Sequence, residues 1–250
     1  MSPALAVVLL VAAGTVAGVV GTAGGITSLV SYPALLAAGV PPLPANVANI
    51  VALVVCGPGS ALASGPELAG RGRWLWRWSW VAAAGGAAGA VLLLCTPPGD
   101  FARVVPFLVA LGSLALLAQP RLAARYDGRA RHGTLILLPG LLLVTAYGGY
   151  FGAGSGVMTL ALLLFTVDQH LARANALKNM VIGAGVLASA LTLIVAGPVD
   201  WAAVGPLAVG LFIGSQIGPR LARRIPAGVL RWLVVLLGLA LAVKLWIAPG

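Results

Sequence analysis

The chain has 250 residues, 60% of them hydrophobic and 8% charged, with a formal net charge of +10. A water-soluble domain of this size carries about 25% charged residues, so too few polar groups are present to coat a globule. The Ala-, Leu- and Val-rich stretches are long and lack strict alternation, which points to membrane-crossing helices rather than a barrel.

About ten apolar segments follow one another along the chain. The first, Pro3 to Val20, lacks a basic leader, and its apolar run is longer than that of a typical signal peptide, so it is expected to be a span. The second, Gly25 to Gly39, is short, opens on glycine and contains Pro33. The third, Asn46 to Ser64, carries Asn46, Asn49 and Cys56, the cysteine expected as a small packing residue. A basic loop with Arg71, Arg73 and Arg77 leads into the fourth, Ser79 to Cys95. The run from Arg73 to Trp80 has tryptophan at every second position, with Arg73 and Arg77 among the others, and is expected to form an interfacial aromatic belt.

The fifth segment, Phe101 to Ala118, ends at a second basic loop, Gln119 to Gly133, with Arg121, Arg125, Arg129 and Arg131. The sixth spans Thr134 to Gly149, and the seventh, Gly152 to Val167, is again short with glycine at its start. The eighth, Asn175 to Ala196, holds Lys178 near its beginning. The ninth, Ala202 to Gly218, precedes Arg220, Arg223 and Arg224, and the tenth runs from Val229 to Ile247.

The two halves repeat each other. Gly18, Gly21 and Gly25 fall on Gly149, Gly152 and Gly156, and the stretch Ala45 to Leu53 aligns with Ala174 to Ile182. Short basic loops face the cytoplasm. If all ten segments cross, the three arginine-rich loops share one side and both termini lie outside. An odd number of crossings per repeat makes the repeats inverted. The expected architecture is thus an all-α polytopic membrane protein: a first repeat (1–118), a basic cytoplasmic linker (119–133) and an inverted second repeat (134–250). The short segments two and seven are its broken helices. Duplicated membrane proteins of this kind place a substrate near the midplane, at interrupted helices in matching positions.

The glycine clusters are therefore candidate site elements. Irregular backbone at membrane depth has to line protein or a water-filled cavity. Free N–H groups at a helix start attract anions. The candidate substrate-binding residues are Gly24, Gly25 and Thr27 in the first repeat, with Gly154, Ser155 and Gly156 in the second. Thr22, Ser28 and Thr159 offer further hydroxyls. Asn46, Asn49, Asn175 and Asn179 add amides, with helix capping as the alternative for Asn46 and Asn175. Lys178, a cation inside a span, completes the set; snorkelling to the interface is its alternative.

All five acidic residues, Glu67, Asp100, Asp127, Asp168 and Asp200, fall in or beside loops. No carboxylate cage for a metal and no nucleophile–base spacing is legible. No enzymatic activity, catalytic residue, metal or cofactor is expected. A partner nucleic acid is not expected either, because no segment is long enough for a basic folded domain. The expected partners are a small anion and the lipid bilayer.

The repeated glycine stretch, the segment Arg173 to Asn179 and the turn Ala196 to Trp201 resemble the TauE/SafE sulfite exporter family of membrane permeases. The resemblance runs from about Ala4 to Leu245 and is stronger in the second repeat. It implies transport of sulfur-containing anions such as sulfite or organosulfonates. The expected protein is a multi-pass inner-membrane permease working outward, with both termini periplasmic. An importer of another small anion and a non-transporting scaffold are the competing readings.

Overall fold

The computed structural model describes residues 3–101, 103–110, 114 and 133–222. The described residues fold into helices and connecting turns, with no strand among them. In chain order they are α1 (Pro3–Gly24), α2 (Ser28–Ala37), α3 (Pro42–Ala52) and α4 (Cys56–Ala63), the last two joined by a 3₁₀ turn at Leu53–Val55. Next come α5 (Gly65–Leu68), α6 (Gly72–Leu94) and α7 (98–101 and 103–110). The second half supplies α8 (Gly133–Tyr150), α9 (Ser155–Thr166), α10 (Leu171–Ala196) and α11 (Trp201–Ala222). Among the described residues, six stretches are long and apolar enough to cross a bilayer: α1, α3 through α4, α6, α8, α10 and α11. The tenth apolar segment, the linker residues 119–132 and Arg223 and Arg224 lie outside the described residues.

The two short segments are helices α2 and α9, of 10 and 12 residues. At 1.5 Å per residue they reach about 15 and 18 Å, roughly half of a ~30 Å hydrocarbon core. Their boundaries refine the sequence reading. Helix α1 continues to Gly24, so only residues 25–27 are irregular in the first cluster. In the second, 151–154 form the turn, and Gly154 caps α9 with φ at +80°. The break between α3 and α4 has a local cause. Pro58 has no N–H for the carbonyl of Val54, so the chain tightens into a 3₁₀ turn one step earlier.

Glycines set the helix pairs. Gly14 and Gly18 of α1 sit against the backbone of α11 at Leu207 to Ser215, while Gly210, Gly214 and Gly218 sit against α1 from Val11 to Thr22. Rising numbers meet rising numbers, so α1 and α11 run parallel. Gly85 and Gly89 of α6 meet α8 from Leu142 to Tyr150, again in parallel. Gly86 of α6 meets Gly185 and Ser189 of α10, and Gly185 meets Ala82, a third parallel pair. Since α8 and α10 both run parallel to α6, the chain has to reverse between them, and α9 is the return. Without side chains at these glycines the backbones approach closely, which is how helices associate in lipid.

A leucine at position 214 would put its Cβ 2.8 Å from Val19 N and 3.0 Å from Gly18 Cα. Gly214→Leu is expected to cost at least about 1–3 kcal/mol through overpacking. The check is a lower unfolding midpoint and loss of a single elution peak in detergent.

The helices are exchanged between the halves. Helix α11, from the second half, packs most extensively on α1 and also covers α3 and α4. Helix α6, from the first half, packs on α8 and α10. One core runs from Leu10 and Tyr32 through Ile50 and Phe101 to Leu207, and takes in Phe151 and Ala190. A smaller one gathers Trp78, Leu141, Leu163 and Leu177. Trp78 thus leaves the expected aromatic belt for the interior, whereas Trp76 and Trp80 are 69% and 63% exposed.

Candidate functional site

The two glycine clusters meet. A Cβ at Gly156 would lie 2.6 Å from Gly25 O, and a Cβ at Gly25 would lie 2.6 Å from Val157 N. Gly25 has φ at +85°, a left-handed conformation that L side chains rarely adopt. This contact brings the N-terminal ends of α2 and α9 together. The helix dipoles are positive there, while the N–H groups of Leu29 and Val30 in α2 and of Ser155 in α9 already donate to the carbonyls of Ile26, Thr27 and Gly152.

Beside the contact lies a cavity of about 60 Å³, between α1, α2 and α4 on one side and α8, α9 and α10 on the other. A buried water needs roughly 10–15 Å³ of such space, so there is room for a few waters or one small ion. Polar lining comes from Thr22, Thr27, Ser28, Ser155, Lys178 and Asn179. No carboxylate among the described residues lines it.

Lys178 is 1% exposed and sits two turns inside α10, so it does not snorkel. Its Nζ donates to Asn175 Oδ1 at 2.8 Å and to Gly21 O at 3.3 Å. An ammonium has three donors, which leaves one for a ligand. Asn49 Nδ2 donates to Ser28 Oγ at 3.0 Å, so the Ser28 hydroxyl keeps its own hydrogen for another acceptor. Ser155 Oγ donates to Gly152 O at 2.8 Å, and Thr22 Oγ1 to Gly18 O at 2.6 Å; these two hydroxyls are turned toward backbone. A lysine donor, a free hydroxyl and two helix N-termini without a nearby carboxylate make a site able to hold an anion.

Of the eleven residues expected at the site, Gly25, Thr27, Ser155, Gly156, Lys178 and Asn179 line the cavity. The other five do not, and each has a different place. Gly24 ends α1, and a Cβ there would meet nothing within 4 Å. Gly154 is the left-handed cap of α9.

Asn46 and Asn175 lie inside α3 and α10, so they do not cap their own helices; the N-caps are Pro41 and His170. Each instead ties down the end of a helix from the other half. Asn46 Nδ2 donates to Tyr150 O at 2.8 Å, and Asn175 Nδ2 to Thr22 O at 2.9 Å. The last carbonyls of a helix have no intrahelical donor, which is why a buried amide is placed there. Asn49 holds Ser28 and Ser31 of α2 from behind the cavity. Asn179 does both jobs, donating to Thr22 O at 3.0 Å and Ser60 Oγ at 2.7 Å.

Cys56, the apolar Leu53, Ile182 and Val186, and the glycines Gly21, Gly57, Gly148, Gly152 and Gly183 complete the wall. Sequence reasoning treated Cys56 as packing only. The available signal was the run Cys56 to Gly59, two glycines around a proline that interrupt an apolar span.

A separate ionic cluster closes one end of α10. Asp168, with a side chain 6% exposed, pairs with Arg71 at 2.8 Å and Arg173 at 3.0 Å. Its Oδ1 also accepts from the His170 backbone N–H at 3.0 Å. Burial pushes this carboxyl up, but the His170 N–H and the charges of Arg173 and Arg71 outweigh it and hold the group below the ordinary 3.8. A depressed carboxyl stabilises the fold above its unfolded pKa, and the contribution fades as pH falls through the folded pKa. Asp168→Asn is therefore expected to cost about 1–3 kcal/mol at neutral pH. The gap from wild type should persist to the ordinary carboxylate range and shrink only at lower pH. Unfolding midpoints across pH check this.

Similar proteins extend over nearly the whole chain. A probable membrane transporter protein, ORF9, of Sinorhizobium sp is 31% identical over 243 residues, covering 94% of this chain and 90% of that protein. The probable membrane transporter protein YfcA of Escherichia coli K12 is 27% identical over 248 residues, covering 98% and 91%. No solved structure matches. The sequence pattern described as sulfite exporter TauE/SafE matches residues 6–245. The chain, a multi-pass membrane protein by its helices and its relatives, belongs to the TauE/SafE family.

Proposed function

We propose that this permease moves a small anion of the sulfite or organosulfonate class out of the cell across the inner membrane. The observation that carries the reading is Lys178, buried in a cavity with no carboxylate among its described lining residues, where the starts of α2 and α9 converge. A buried cation is costly unless a counter-charge arrives, and here the substrate supplies it. The family description, sulfite exporter, supports the choice of anion and direction.

The proposed topology has ten crossings in two inverted repeats, both termini periplasmic and the arginine-rich loops cytoplasmic. The parallel runs of α1 with α11 and of α6 with α8 and α10 support it, because segments of the same parity then run the same way. The site would comprise Gly25, Thr27, Ser155, Gly156, Lys178 and Asn179, with Asn46, Asn49 and Asn175 as supports, Gly24 at the end of α1 and Gly154 as the cap of α9.

A negative-inside potential favours anion exit by about 2.3 kcal/mol per charge per 100 mV. Transport needs no coupling ion and is electrogenic in this reading. The test is sulfite flux in proteoliposomes clamped with potassium and valinomycin at equal pH. Flux should follow the imposed potential and ignore sodium. Absence of sulfite and sulfonate flux under every gradient would refute the substrate class; strict sodium dependence would refute uniport.

A further inference from the structure

The polar groups around the cavity are of two kinds. Some have a hydrogen to give. Lys178 Nζ keeps one N–H beyond those on Asn175 Oδ1 and Gly21 O, and the Ser28 hydroxyl accepts from Asn49, so its own hydrogen is free. The Thr27 hydroxyl can give or accept.

The others face the cavity as acceptors. Asn179 spends both amide hydrogens, on Thr22 O at 3.0 Å and Ser60 Oγ at 2.7 Å. The residue is 8% exposed and lines the cavity, and no donor among the described residues reaches its Oδ1. With the nitrogen turned to α1 and α4, the oxygen is the amide atom left for the cavity. Turning the amide round would set Oδ1 against the Thr22 carbonyl. Thr22 Oγ1 and Ser155 Oγ spend their hydrogens on Gly18 O and Gly152 O, so each also presents lone pairs.

Charge narrows the ligand further. Among the described lining residues Lys178 is the one basic side chain, and none is acidic. One ammonium offsets one negative charge, and a second would be buried without a partner. A bare dianion also sets an oxygen against Asn179 Oδ1, and an apolar substituent leaves that oxygen unpaired. An O–H or N–H on the ligand bonds to it.

We infer that the site selects a singly charged oxyanion that carries its own hydrogen-bond donor: Lys178 takes an oxyanion oxygen, and Asn179 Oδ1 takes the O–H or N–H. Within the sulfite class this is hydrogen sulfite in its O–H form rather than the dianion. The inference deepens the permease reading and rests on it for the sulfur oxyanion.

The test compares sulfamate with methanesulfonate as inhibitors of sulfite flux in proteoliposomes. Both are tetrahedral monoanions of nearly equal size, and neither changes charge near neutral pH. Sulfamate has an amino group where methanesulfonate has a methyl. Sulfamate should inhibit at about tenfold lower concentration, the worth of one hydrogen bond to an otherwise unpaired buried acceptor. Asn179→Leu, close in shape, should erase most of that preference by weakening sulfamate. Equal inhibition in the wild type, or a preference for methanesulfonate, overturns the inference and leaves the permease reading in place. This comparison needs no variant, so it decides even where Asn179→Leu does not fold. A preference that survives in a folded Asn179→Leu also overturns it, because Asn179 is then not the acceptor. Binding is read separately, as the rise in unfolding midpoint that each anion gives in detergent. A larger rise with sulfamate but no sulfite flux upholds the site's preference and refutes the transport reading.

Discussion

Replacing Lys178 by methionine is expected to remove most anion flux while leaving the fold as stable as the wild type, or more so. The side chain is almost wholly buried and has two neutral acceptors, Gly21 O and Asn175 Oδ1, with no carboxylate among the described residues of the cavity. Methionine keeps the length and apolar stem without requiring a charge to be desolvated, and such replacements of buried ions are often neutral or stabilising. For a ligand the balance is opposite. Losing a charged hydrogen bond costs about 2–3 kcal/mol, or roughly 30- to 140-fold in affinity. Lys178→Arg should not restore flux, because a planar guanidinium has a different shape and donor geometry. The checks are sulfite flux in proteoliposomes and the unfolding midpoint in detergent. An unchanged apparent affinity in Lys178→Met would leave the lysine with no role in binding.

Adding one methyl group where the glycine clusters touch should be more damaging than adding one beside them. Gly156→Ala drives a Cβ into the Gly25 backbone, and Gly25→Ala adds a left-handed φ to the same clash. Overpacking costs about 1–3 kcal/mol and the left-handed conformation about 1–2 kcal/mol more. Gly24→Ala, next in sequence, meets open space and should retain flux. Measured together, the three variants separate a requirement for bare backbone from general sensitivity of the segment. Equal losses in all three would show that the Gly25–Gly156 contact has no special role. If Gly156→Ala folds and transports normally, the contact itself is wrong.

The sequence by itself determined that this is a helical membrane protein, because composition fixes the solvent the chain can face. It also marked the two short helices, since each follows a glycine cluster and spans too few residues for a full perpendicular crossing. The GxxxG spacings at Gly14 and Gly18, Gly85 and Gly89, and Gly210, Gly214 and Gly218 are visible in the sequence, and each lies at a close helix contact, because a glycine stripe at helical period has one dominant physical use in lipid.

What sequence did not decide was which helix each stripe meets. Repeat matching groups α6 with α1 to α4, yet α6 packs on α8 and α10, and α11 packs on α1. Periodicity is a property of one helix, whereas partner choice depends on the complementarity of two surfaces far apart in the chain. The asparagines make the same point. Their positions inside two spans were legible, but Asn46 and Asn175 bond to carbonyls 104 and 153 residues away rather than to their own helices. Only the tertiary structure brings the ends of α1 and α8 within reach. A buried helix end demands a donor from whatever packs against it, and packing is settled by the whole chain.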